Sequence, residues 1–111
     1  MNFSALTEAL RELWPDTYPL AAPKDKTKYI VLAPYGMGAV HGDDRTQIRF
    51  PKVQIDAYCQ EEDAAADGGF FVSILNTLDA LGVPHDVQDI SYDPDATLQR
   101  CIIQCELIGG F

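Results

Sequence analysis

Phe3, Leu6, Leu10 and Leu13 recur at three- and four-residue steps, the spacing that lines one face of a helix. Asn2 or Ser4 can cap its start, and Pro15 ends it by disfavouring helical geometry at Trp14. Residues 15–27 hold three prolines and read as an extended connector. Lys28 to Ala33 is β-branched and aromatic, which predicts a strand. Pro34 to Asp44 contains Gly36, Gly38 and Gly42 and reads as a loop. A second strand is expected from Arg45 to Cys59. Its apolar positions change phase between Phe50 and Val53, so a β-bulge is expected at Pro51.

Phe70, Phe71, Ile74, Leu75, Leu78 and Leu81 form a broad helical stripe, with Gly82 and Pro84 as stop signals. Glu61, Glu62 and Asp63 are expected at the positive end of this helix. The pair Gly68-Gly69 would divide it into a loosely wound acidic part and a packed part. Two strands follow, His85 to Tyr92 and Thr97 to Ile108, joined by the turn Asp93-Pro94-Asp95. In the last strand Cys101, Ile103, Cys105 and Leu107 alternate with Arg100, Gln104 and Glu106, although Ile102 and Ile108 fall on the polar side. The expected fold is α+β in one domain spanning 1–111. Its four-stranded, mainly antiparallel sheet carries two helices on one face, in the order α-β-β-α-β-β.

Composition changes this picture in three ways. Hydrophobic residues make up 47% of the chain, too many for a disordered one. No run approaches the ~18–20 apolar residues of a membrane span, and Met1 to Ser4 do not open a secretion signal. A cytoplasm is therefore the expected compartment. The formal charge of −9 comes from 17 acids against 8 scattered bases, which speaks against a partner held by its phosphates.

The candidate chemistry is thin. Gly36-Met37-Gly38 lacks the third glycine and the following helix of a dinucleotide site. His41, Asp43 and Asp44 supply too few oxygens for a hard cation. His85 and Asp86 are adjacent on a strand, so they point to opposite faces and make a poor dyad. Cys59 stands beside Glu61 and Glu62, which disfavour a thiolate. Cys101 and Cys105, about 13 Å apart along one strand, cannot bridge each other. No catalytic residue, metal or cofactor is expected, and the chain reads as a non-enzyme.

The organisation resembles the tail terminator, or tail completion, proteins of long-tailed phages and prophages, also called minor capsid or minor tail proteins. The resemblance runs over nearly the whole chain: an initial helix, a proline-containing connector and an early strand at Lys28 to Ala33. The segment Pro51-Lys52-Val53-Gln54-Ile55-Asp56-Ala57-Tyr58 carries most of it, followed by Glu61-Glu62-Asp63-Ala64-Ala65-Ala66, a helix ending near Leu81-Gly82, and a closing strand. The resemblance implies a structural virion protein that assembles as a ring, typically a hexamer. That ring caps the tail tube and joins it to the head connector. The partners implied are other copies, the tail tube protein and the connector protein, with no membrane and no sequence-specific nucleic acid. Net negative charge suits a ring through which DNA slides.

Within such a ring, Pro34 to Asp44 is the segment expected to order against a neighbour. Met37 and Val40 would supply apolar contact, with Asp43 and Asp44 opposite Arg45 or Arg49 of the next subunit. The alternative is a monomeric acidic module that binds a basic protein.

Overall fold

The computed structural model describes residues 1–39 and 49–107, with side chains described outside 36–39 and 49–51. The elements run α1 Phe3–Leu13, β1 Thr17–Pro19, β2 Tyr29–Ala39, β3 Arg49–Cys59, α2 Phe70–Leu81, β4 His85–Asp93 and β5 Leu98–Glu106. The fold is α+β, with a five-stranded mixed sheet in the order β1-β2-β3-β5-β4. This corrects the expected four-stranded sheet. The additional strand is β1, which pairs parallel to β2 within the proline-containing connector.

Three residues, the last of them Pro19, carry no alternation to read, so β1 depends on tertiary ties. Thr17 is buried, and its hydroxyl donates to the Trp14 carbonyl at 2.5 Å. Arg11 donates to the Thr17 carbonyl at 3.2 Å, and the Asp16 carbonyl accepts from the Ile30 amide at 2.9 Å.

Helix α1 begins where Asn2 accepts from the Ala5 amide at 2.8 Å and ends with Trp14 in extended geometry. Its apolar stripe buries Leu6 and Leu10 completely. These meet Ile30 and Leu32 of β2, Val53, Ile55 and Ala57 of β3, Cys101, Ile103 and Cys105 of β5, and Ile74 and Leu78 of α2 in one cluster. Every strand contribution comes from alternate positions, so both helices cover the same sheet face. Each fully buried aliphatic side chain contributes about 1.5–3 kcal/mol.

The expected helix over the acidic segment is also corrected. Residues 61–69 form turns, and α2 has no acid in its first turn. Instead, the chain folds back on the helix start: the Ala64 carbonyl accepts from the Phe71 amide at 3.0 Å, standing in for the side-chain cap that Gly69 cannot supply. The two glycines have different reasons. Gly68 adopts φ +82°, whereas a Cβ on Gly69 would lie 2.4 Å from the Ala64 carbonyl oxygen. At the other end Gly82 is left-handed, and the Val83 amide donates to the Leu78 carbonyl at 3.1 Å.

Pro34 to Ala39 is strand rather than loop, and the bulge is not at Pro51 but on β2, where the register shifts between Pro34 and Gly36. The displaced residue is Tyr35, opposite the unbroken run of β3. Both prolines are accommodated by alternation. Pro34 falls on the side of β2 that bonds towards β1, and Pro51 on the side of β3 that bonds towards β5. Each lies beyond the end of that neighbour, so no ladder bond is lost.

Candidate functional site

Beyond the pair Gly36↔Lys52, β2 and β3 have only each other among the described residues. Their register continues through Met37↔Pro51 to Ala39↔Arg49, while β5 joins β3 no further than Lys52. A two-stranded arm thus projects past the sheet. Of the residues expected at a subunit interface, Met37 and Arg49 lie on the backbone of this arm, two register positions apart. Val40, Asp43, Asp44 and Arg45 lie outside the described residues, as does His41.

The sheet face opposite the helices carries an aromatic and ionic group that the sequence reading did not single out. Tyr29 and Tyr58, register partners on β2 and β3, stack with ring centroids 4.7 Å apart. Arg100 on β5, the partner of Tyr58, lies 5.5 Å from that ring and donates to Asp56 at 3.0 Å. Gln54 donates to the other oxygen of Asp56 at 3.1 Å. Burial pushes the Tyr29 and Tyr58 phenols up from their ordinary value. The signal available in sequence was the off-phase tyrosine at 58 and arginine at 100, legible only once the strands are in register.

A second knot fastens the other side of the molecule. Lys28 lies 4.6 Å over the Trp14 ring and 4.8 Å over the Phe70 ring, and it pairs with Glu61 at 2.9 Å. The Trp14 indole donates to the Lys28 carbonyl at 2.8 Å. The end of α1, the start of β2, the acidic turn and the first residue of α2 are thereby joined. Glu61 serves as a partner for this lysine rather than as a helix-dipole charge.

Near the start of β4 a depression of about 310 Å³ is lined by His85, Asp86, Lys52 and Glu106 among others. His85 contacts the Val83 carbonyl at 2.8 Å through Nδ1 and Asp79 at 3.4 Å through Nε2. Its carboxylate neighbour is therefore Asp79, one turn back in α2, and not the adjacent Asp86. Lys52 and Glu106 approach to 3.8 Å across the strands.

The three cysteines are free and fully buried on the helix-bearing face. Burial pushes Cys59 and Cys101 up to about 11 and Cys105 up to about 12, leaving neutral thiols that pack as small apolar groups. Among the described residues no cluster of His, Cys, Asp and Glu has metal-holding geometry, and no helix is long and apolar enough to cross a membrane.

Charge is divided along the chain. No Lys or Arg occurs between Val53 and Gln99, whereas Arg11, Lys24, Lys26 and Lys28 cluster before β2. The acidic part includes the edge strand β4 with Asp86, Asp89 and Asp93. No family model matches the chain, and no curated protein sequence does either.

Proposed function

We propose that the protein is a structural assembly component of the tail terminator class, acting as a ring of identical subunits that closes a tail tube and receives a head connector. The observation that supports this reading is the two-stranded arm formed by the ends of β2 and β3. An isolated two-stranded ribbon is marginal in water and becomes stable when something covers it. An arm reaching beyond its own core is suited to lying against a neighbouring subunit, and it carries Met37 and Arg49 of the expected interface. The one-sided helix layer is consistent with the same use, since among the described residues no helix covers the Tyr29–Tyr58–Arg100 face.

The test is deletion of the gene from the genome that carries it, followed by electron microscopy of induced lysates. Filled heads and separate tails, rejoined when the gene is restored, are the expected result. Intact tailed virions from the deletion strain, or a parent strain producing no particle that contains the protein, would reject the reading.

A further inference from the structure

The two edges of the sheet are chemically unequal. At the β1 edge the outward groups are closed off: Thr17 is buried and its carbonyl accepts from Arg11, Pro19 has no amide hydrogen, and the Pro19 carbonyl accepts from the Ala21 amide at 2.9 Å. Among the described residues the β4 edge is open. It is the terminal strand of the sheet, and its residues are exposed along almost its whole length.

The phase of β4 follows from its ladder. The Pro84 carbonyl accepts from the Glu106 amide at 3.0 Å, and the register passes from Val87↔Ile103 to Asp89↔Ile102 across a bulge at Gln88. Alternation then turns the backbone groups of Asp86, Asp89, Ser91 and Asp93 towards β5 and those of His85, Val87, Ile90 and Tyr92 outwards. The same four outward residues share a face with Cys105, Ile103, Cys101 and Gln99, their register partners. Val87, Ile90 and Tyr92 are 38%, 44% and 54% exposed, so they extend the apolar face sideways past the cover of the helices. Asp86, Asp89 and Asp93 occupy the opposite face, and no ion pair among the described residues includes any of them.

We propose that β4 accepts an extended segment of another protein as a sixth strand, and that this segment alternates basic with apolar residues. The backbone of His85, Val87, Ile90 and Tyr92 supplies the ladder. Apolar side chains of the incoming strand continue the Val87–Ile90–Tyr92 stripe, and its Lys or Arg residues face the three aspartates. A second copy of this chain does not fit. Antiparallel β4–β4 pairing sets the aspartates of both copies on one face, and the three-residue β1 edge of another copy is closed off by the burial of Thr17 and by Pro19. This inference does not depend on the ring reading.

The test uses an end-capped peptide about as long as β4, alternating lysine and valine, with binding followed by calorimetry. Binding that weakens with salt is expected, together with slower hydrogen exchange at the amides of Val87, Ile90 and Tyr92. A peptide of the same composition with lysines and valines in separate blocks should bind at least tenfold more weakly. Ile90→Pro removes one outward amide hydrogen and no bond to β5, so it should keep the native circular dichroism and lose at least tenfold in affinity. Equal binding of both peptides, unchanged affinity in Ile90→Pro, or unaltered exchange in β4 would overturn the proposal. Protection of those amides that rises with protein concentration alone would also overturn it, in favour of a second copy.

Discussion

Cys59, Cys101 and Cys105 illustrate how burial sets chemistry at the level of a single side chain. Removal from water favours the neutral thiol, and their ordinary value of 9.0 moves up to about 11, 11 and 12. The linkage has a definite sign. Below about pH 9 both folded and unfolded chains keep the protons and the thiols contribute no slope. Between about 9 and 12 the unfolded chain releases protons that the folded chain retains, so stability falls as pH rises. The raised phenols of Tyr29 and Tyr58 act in the same direction. Urea midpoints should therefore decline above pH 9, and Cys101→Ala/Cys105→Ala should flatten that decline while lowering the midpoint throughout. An equally steep decline in the variant would mean the thiols are not the source.

At the scale of elements, the informative segment is the turn before α2. Residues 61–69 contain helix-compatible alanines and glutamates, yet the backbone leaves helical geometry and presents the Ala64 carbonyl to the Phe71 amide. The close approach of that carbonyl excludes a side chain at 69, whereas position 68 has open space and only a positive φ. Gly68→Ala should cost about 1 kcal/mol, the ordinary penalty of a left-handed alanine. Gly69→Ala should cost more, about 1–3 kcal/mol, because the backbone must shift to relieve contact. Equilibrium urea unfolding of the two variants checks the order; a Gly69→Ala protein at least as stable as Gly68→Ala would remove the turn from its place against the helix.

For the molecule as a whole, charge opposes compactness. With 17 acids and 8 bases the chain repels itself, and the ion pairs among the described residues are largely solvent-accessible. Screening should weaken the repulsion more than it weakens those pairs. Raising NaCl from about 20 to about 200 mM should thus raise the thermal midpoint by a few degrees, measured by circular dichroism. A midpoint that falls with salt would show that local pairs outweigh the net charge.

Both helices, the strand at Lys28–Ala33 and the closing pair of strands were legible from local patterns, because burial of one face imposes a period of 3.6 or 2 on the side chains. The single-faced core followed from the same alternation: Val53, Ile55 and Ala57 share a phase, as do Cys101, Ile103 and Cys105, and all six are fully buried or nearly so. Other features had no local signature. Strand β1 is held by Arg11 and Thr17 rather than by a pattern of its own. The phase change between Phe50 and Val53 does not mark a bulge: β3 runs unbroken through Pro51, so positions 50 and 53 fall on opposite alternations, and the extra residue is Tyr35 on β2, which has no apolar pattern to mark it. Of the expected interface, Met37 and Arg49 came together on one arm because of that pairing. The Tyr29–Tyr58–Arg100 group and the open β4 edge emerged only from the order β1-β2-β3-β5-β4. Periodicity records which side of an element is buried; which elements become neighbours, and which edge remains unpaired, depends on contacts between residues far apart in the chain.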